Sequence, residues 1–151
     1  MMAQRILVPT DFSPDADRAL EYAIELAKAL PARLTFLHVI HFTPMTTGEM
    51  FAYSLEGYLN AMESEAQKQM QSILERVHQN GLEGETSIVQ GIPFQCIIDI
   101  AEDQAVDLIV MGTHGRTGLT HALMGSVAEK VARLAPCPIL ITRDATKSST
   151  A

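Results

Sequence analysis

A glycine-rich stretch between residues 112 and 127 contains the residue types best suited to bind an anion. Glycines stand at positions 112, 115 and 118, and a fourth, Gly125, is followed directly by Ser126. Because glycine lacks a Cβ, its backbone can approach a ligand closely, and successive N–H groups can face one concavity. A helix predicted to begin at Ser126 adds the partial positive charge of its N-terminus. The stretch therefore indicates a phosphate site.

The charge distribution favours the same interpretation. Residues 49–107 carry eleven acidic and two basic side chains, whereas residues 108–151 carry two acidic and five basic ones. The glycine-rich stretch thus lies in the most cationic part of the chain, with Arg116 inside it and Lys130 and Arg133 in the helix behind it. The stretch lacks the lysine and hydroxyl of a Walker A loop, and its spacing is not that of a dinucleotide-binding G-x-G-x-x-G loop.

An interpretation without a ligand stays open at this point. Any loop uses glycine for its turns, and Ser126 with Glu129 has the spacing of a capping box, which stabilises a helix start by itself. His114 lies within the stretch, and we expect it to contact a phosphate. By contrast, His38 and His41 are expected on opposite faces of a strand, where they cannot share a metal ion.

The rest of the chain predicts the elements that position this stretch. Short apolar runs predict strands at about residues 4–8, 33–41, 85–90, 107–112 and 137–142. Helical patterns lie between them: the first follows Ser13 as N-cap and ends at Pro31, the second spans 57–80, the third opens at Pro93, and the last spans 126–134. Residues 42–56 are expected to form a long loop or a short irregular helix, and the tail at 144–151 to be disordered.

The alternation of strands and helices predicts an α/β fold, with one open parallel five-stranded sheet and helices on both faces. We expect a single domain over residues 1–151, because 151 residues of which 47% are hydrophobic suffice for one well-packed core. In such sheets, ligands bind beyond the carboxyl ends of the strands. The glycine-rich stretch follows the predicted fourth strand and so lies at that edge.

Composition excludes several classes of protein. A net charge of -7 argues against a chain that mainly binds nucleic acid or an anionic membrane. No apolar run approaches the roughly 20 residues of a membrane span, so a cytoplasmic location is expected. Cys96 and Cys137 have no metal or redox spacing and are expected to be small buried hydrophobic residues.

The glycine pattern resembles the signature of the universal stress protein family. Gly112-x-x-Gly115, nine residues, then Gly125-Ser126 is similar to that family's nucleotide-binding pattern. Residues 8–13, 37–39, 107–112 and 137–140 resemble the family's first strand-to-helix turn and its second, fourth and last strands. The resemblance covers the chain apart from residues 42–56 and the tail. It implies a Rossmann-like sheet of the adenine nucleotide alpha hydrolase-like type, with strand order 3-2-1-4-5, that binds ATP in the branch keeping these glycines.

The resemblance also implies a role for each matching position. The backbone of Val39 should pair with adenine, while Pro9, Thr10 and Asp11 should lie near the base and ribose. The positions expected to follow the ribose and phosphates are Met111, Gly112, Thr113, His114, Gly115, Arg116, Gly125, Ser126 and Val127. Asp11 either caps the first helix together with Ser13, contacts the nucleotide, or serves as an outer-sphere ligand to a magnesium ion that bridges the phosphates. No direct protein ligand to a metal is expected.

The function expected from this resemblance is that of a cytoplasmic ATP-binding stress-response protein, a nucleotide-dependent regulator or sensor. The loop offers no evident general base, so hydrolysis should be slow or absent, and no residue is assigned as catalytic. One alternative is a weak ATPase or autophosphorylating enzyme with Ser126, Thr113 or Thr117 as acceptor. Another is an interaction module that holds ADP or AMP, or works without nucleotide, and contacts a client protein through residues 42–56.

The last predicted strand, residues 138–142, would be an exposed apolar edge in a monomer. Soluble proteins avoid such edges. The family resemblance implies that this strand pairs antiparallel with its copy in a second subunit, so a homodimer with an isologous interface is expected.

Overall fold

A five-stranded parallel sheet with strand order β3-β2-β1-β4-β5 forms the centre of the protein. The structure is a computed structural model and describes residues 3–41, 49–114 and 124–143. The strands are β1 (Arg5–Pro9), β2 (Arg33–His41), β3 (Gly84–Gly91), β4 (Leu108–Gly112) and β5 (Ile139–Thr142). The helices are α1 (Pro14–Ala29), α2 (Glu49–Gln79), α3 (Pro93–Asp103) and α4 (Ser126–Leu134). The predicted fold class and strand order are confirmed.

The two faces of the sheet bury separate apolar clusters. Ile6 and Val8 of β1 pack on one face against α1 and α2, whereas Leu7 points to the other face and packs against α3 and α4. Phe36 of β2 is completely buried in the first cluster. Since the central strands are covered on both sides, they are continuously apolar in sequence, which is why they could be recognised as strands of a parallel sheet.

The start of α1 follows from its sequence. Ser13 is the N-cap, and its hydroxyl accepts a hydrogen bond from the Ala16 N–H at 3.2 Å. Pro14 occupies the first helical position, where its missing N–H costs nothing. The helix ends at Ala29, just before the predicted stop at Pro31. The position of this helix start matters for the site because only a short turn connects β1 to α1.

The prediction for the start of α2 is wrong. The helix begins at Glu49 rather than near Gly57, so residues 49–56, expected to be a loop or irregular helix, form its first turns. These residues include good helix formers such as glutamate, methionine, alanine and leucine, and exposed Gly57 is accommodated within the helix. Residues 42–48 of the predicted loop and the tail at 144–151 lie outside the described residues. Although α2 is the longest helix, neither it nor another described helix is long and apolar enough to cross a membrane.

Both cysteines are free thiols and are half-buried rather than fully buried. Partial burial raises the pKa of the Cys96 thiol, and the nearby Asp99 carboxylate raises it further. Burial and then Asp107 raise the pKa of the Cys137 thiol in the same way. A raised pKa lowers the thiolate fraction at neutral pH, so the two thiols are less reactive than an exposed cysteine.

Candidate functional site

The candidate site lies where the strand order reverses. β2 flanks β1 on one side and β4 flanks it on the other, so the turns after β1 and β4 leave the sheet next to each other. We call residues 9–13 the β1 turn, and residues 112–114 with 124–127 the glycine turn. The glycine turn packs against the helix that follows the β1 turn, because a Cβ at Gly112 would lie 2.8 Å from the backbone oxygen of Asp15.

The β1 turn is stabilised by hydrogen bonds from its backbone N–H groups to its own side chains. Thr10 Oγ1 accepts from the Phe12 N–H at 3.0 Å, and Asp11 Oδ1 accepts from the Ser13 N–H at 3.0 Å. The Thr10 N–H donates to the Leu37 carbonyl of β2 at 2.8 Å. Asp11 therefore supports the start of α1 indirectly, through the amide of the N-cap residue Ser13.

His38 braces this turn from β2. Its Nδ1 lies 2.8 Å from the Thr10 carbonyl oxygen, and since a carbonyl only accepts, Nδ1 carries the proton. The imidazole also packs on the Phe12 ring with centroids 4.4 Å apart. Phe12 has a φ of 64°, a conformation that bulky residues rarely adopt and that the surrounding contacts must stabilise. No site role is predicted for His38 from the sequence, although a polar residue inside an apolar strand is a signal for one.

The glycine turn closes on itself. The Gly125 N–H donates to the Thr113 carbonyl at 2.6 Å, and a Cβ at Gly125 would lie 2.9 Å from the same oxygen. This hydrogen bond brings the N-terminus of α4 to the end of β4. It therefore gathers the described members of the predicted phosphate set: Met111, Gly112, Thr113, His114, Gly125, Ser126 and Val127. Gly115 and Arg116 lie outside the described residues.

The N-cap of α4 is Gly125, so the predicted capping box of Ser126 and Glu129 is wrong. Ser126 is the first helical residue and is exposed. The Glu129 carboxylate instead pairs with Arg133 at 2.7 Å. Spacing alone suggested a serine cap because glycine offers no side chain that would mark the true N-cap. A glycine N-cap supplies no side-chain oxygen to the first N–H groups of α4, which leaves this end suited to an anion.

The remaining predicted residues differ in what they can offer a ligand. Pro9, Met111 and Thr113 are buried, so a ligand at this edge meets their backbone rather than their side chains. Val39 is half-buried and lies in register with Val89 of β3. The end of β2 offers main-chain N–H and C=O groups at the carboxyl ends of the strands, and such groups can recognise a base without a side chain.

A cleft of about 150 Å³ lies on the α1–α2 side of the β1 turn. Arg76 contributes to it, but its guanidinium is already paired with Asp17 and Glu21. The cleft shares Thr10 and Phe12 with the β1 turn and includes none of the glycine turn. Its lining residues are Thr10, Phe12, Asp17, Leu20, Gln69, Ser72, Ile73 and Arg76. With its arginine neutralised, the cleft suits a polyanion less well than the glycine turn does.

Comparison with known proteins identifies the relatives of this chain. Residues 2–143 match the model of the universal stress protein family. The chain belongs to the universal stress protein family. This universal stress protein is 34% identical over 157 residues to universal stress protein MJ0577 of Methanocaldococcus jannaschii, an alignment that covers 95% of this chain and 96% of that one. It is also 34% identical over 148 residues to universal stress protein YxiE of Bacillus subtilis, covering 94% and 100% of the two chains.

Solved universal stress proteins share the fold. UspA from Lactobacillus plantarum superposes with a TM-score of 0.89 at 30% identity, covering 95% of this chain and 99% of that chain. MJ0577 superposes with a TM-score of 0.84 at 35% identity, covering 96% and 99%. The family expected from the glycine spacing and the flanking strands is thus confirmed.

Proposed function

We propose that this universal stress protein binds ATP between the β1 turn and the glycine turn, and acts in the cytoplasm as a nucleotide-dependent regulator or sensor in a stress response. The observation that carries the proposal is the hydrogen bond from the Gly125 N–H to the Thr113 carbonyl. It brings a helix N-terminus, a strand end and His114 to the edge of the sheet where ligands bind in this class of fold.

The two turns divide the nucleotide between them in this proposal. The backbone of Val39 and the residues Pro9, Thr10 and Asp11 face adenine and ribose. The phosphates follow the positions Met111, Gly112, Thr113, His114, Gly115, Arg116, Gly125, Ser126 and Val127. If a magnesium ion accompanied the phosphates, Asp11 would be the residue placed to hold it as an outer-sphere ligand, although its carboxylate also accepts the Ser13 N–H. ADP and AMP fit the same division with fewer phosphate contacts.

Two more distant universal stress proteins have been solved in complex with cAMP and with dAMP. They are 22% and 24% identical to this chain, and at such an identity the comparison shows the shared fold alone. The ligand proposed here therefore depends on this chain's own residues at the two turns.

An autophosphorylating enzyme is the second candidate, and burial narrows its acceptor. Thr113 is only 4% exposed, whereas Ser126 is exposed at the first residue of α4. Ser126 is thus the more accessible acceptor of these two. Incubation with Mg-ATP followed by peptide mass spectrometry would show phosphate on Ser126 if this function holds, and an unmodified protein with ATP intact or only slowly hydrolysed if the regulator proposal holds.

The homodimer belongs to the same proposal. The four residues of β5 are half-buried and form an edge of the sheet next to β4. An aliphatic edge strand is stabilised by pairing with a second copy. Sedimentation should give a dimer that Leu140→Lys dissociates, while a wild-type monomer at micromolar concentration would contradict the assembly.

The nucleotide proposal is tested on protein purified without added nucleotide. Denaturation followed by chromatography and mass spectrometry should release ATP in stoichiometric amount, or the empty protein should gain thermal stability with Mg-ATP. Gly115→Val should lose both signals, and Gly57→Val is the matched control, because a Cβ at Gly57 meets no described atom within 4 Å beyond its chain neighbours and its own helix backbone. An empty wild type without a thermal shift would overturn the proposal.

A further inference from the structure

Asp15 is a buried charged residue to which the nucleotide proposal gives no role. Its side chain is 9% exposed, and its backbone fills the place of a Cβ at Gly112. Its carboxylate faces two bases: Oδ2 lies 3.6 Å from Nδ1 of His114, and Oδ1 lies 3.6 Å from Nη1 of Arg18. Burying a carboxylate to this extent is costly unless it is paired, and the two basic side chains beside Asp15 provide that pairing.

His114 links Asp15 to the N-terminus of α4. The His114 Cα would lie 3.5 Å from a Cβ at Gly125, the N-cap, and its side chain is 18% exposed. The backbone of His114 therefore lies beside the N-terminus of α4, while its ring faces the carboxylate of α1. Because Nδ1 is the ring atom that faces Asp15, Nε2 is the ring atom that would meet a phosphate.

We infer that Asp15 is a positioning residue for the nucleotide phosphates, whose carboxylate orients His114 so that Nε2–H contacts a phosphate at the glycine turn. This inference rests on the proposed function. The Nδ1 to Oδ2 distance of 3.6 Å is that of an ion pair rather than a hydrogen bond. With a carboxylate on the Nδ1 side and a phosphate oxygen at Nε2, the charged imidazolium is the ring form that suits both neighbours. A carboxylate behind a ligand-binding histidine fixes the ring orientation in the same way at metal sites.

Charge balance makes the arrangement compatible with an anionic ligand. A carboxylate near a triphosphate repels it unless positive charge lies close by. Arg18 supplies that charge at one carboxylate oxygen, and His114 supplies it at the other when its ring is protonated. Removing the Asp15 charge therefore has two opposite effects on the affinity for phosphate. Less repulsion would raise the affinity, whereas a less ordered His114 would lower it, so the sign of the measured change shows which effect dominates.

The test compares Asp15→Asn with the matched control Asp17→Asn, a carboxylate in the same helix turn that is exposed and paired with Arg76. Mg-ATP and adenosine are titrated into each protein in a calorimeter. Asp15→Asn should weaken Mg-ATP binding about tenfold, the loss of one charge-assisted contact, and leave adenosine binding unchanged. The control should match the wild type. Unchanged or tighter Mg-ATP binding by Asp15→Asn would overturn the inference, and tighter binding would show that the carboxylate acts only by repulsion.

A second variant separates orientation from damage to the fold. His114→Gln should lose as much Mg-ATP affinity as Asp15→Asn, and combining the two should lose no more, because the pair acts as one unit. Additive losses would overturn the inference.

In the nucleotide-free protein, Asp15→Asn should shift the His114 Nδ1 resonance in a nitrogen-15 NMR spectrum, whereas Asp17→Asn should not. An unmoved resonance would overturn the inference as well. A wild type that binds no Mg-ATP would overturn the proposed function together with the inference, whereas normal wild-type binding with an unaffected Asp15→Asn would overturn the inference alone.

Discussion

The two turns of the candidate site are held by opposite means. In the β1 turn, the side chains of Thr10, Asp11 and Ser13 each accept a backbone N–H. In the glycine turn, the backbone of a neighbour occupies the place of the missing Cβ, at 2.8 Å for Gly112 and 2.9 Å for Gly125. These two glycines therefore have a packing role that does not depend on a ligand. Removing side-chain atoms should therefore destabilise the β1 turn, whereas adding them should destabilise the glycine turn.

Adding one methyl group to the glycine turn should have the largest effect. In Gly112→Ala the new Cβ would meet the carbonyl oxygen and carbon of Asp15 at 2.8 and 2.9 Å, and backbone of a helix cannot move away cheaply. We expect a loss of about 1–3 kcal/mol in the free energy of unfolding, measured by urea denaturation. Gly57→Ala is the control, and it should gain about 0.5–1 kcal/mol because alanine is the better helix former and its methyl group meets no described residue outside α2. Equal stability of Gly112→Ala and wild type would refute the close contact.

Removing one hydroxyl from the β1 turn should have the next largest effect. Ser13→Ala deletes the oxygen that accepts the Ala16 N–H, and the loss of such a cap costs about 1 kcal/mol. Ser126→Ala is the matched change at the other turn, where Gly125 rather than Ser126 is the N-cap, so its stability should change by no more than about 0.5 kcal/mol. Thermal and urea unfolding of both variants measure the difference, and equal losses would restore Ser126 as a cap.

The smallest effect is expected on the surface of α4. Glu129 pairs with Arg133 on an exposed helix face, and such pairs contribute about 0.3–0.5 kcal/mol. Glu129→Ala should therefore lower the free energy of unfolding by about that amount, less in high salt. A loss near 1 kcal/mol that persists in high salt would instead indicate a capping interaction at the helix N-terminus.

The parts of the fold that could be predicted from the sequence depend on local patterns. The central strands are apolar on both faces, and Ser13 followed by Pro14 marks a helix start in any context. The true start of α2 could not be predicted, because an exposed glycine at position 57 has the same sequence signature as a loop. The positions of the candidate site could be proposed from the glycine spacing and the family resemblance, but the contacts among them could not.

Those contacts join residues that are distant in the chain. Gly112 meets Asp15, and His38 bonds to the Thr10 carbonyl, only because β1 lies between β2 and β4 in the sheet. A sequence pattern gives no sign of which helix turn will lie beside a given glycine. Asp15 falls in the first turn of the helix predicted after Ser13, and only the structure shows that it also lies beside the glycine turn.

The central claim is that a nucleotide binds between the β1 turn and the glycine turn. Titration of nitrogen-15-labelled protein with Mg-ATP, followed by backbone amide NMR, tests that location most directly. We expect the largest shifts at the amides of Thr10, Val39, Gly112 and Gly125. Largest shifts at Gln69, Ser72 and Arg76, which line the cleft between α1 and α2, or no shifts at saturating Mg-ATP, would contradict it.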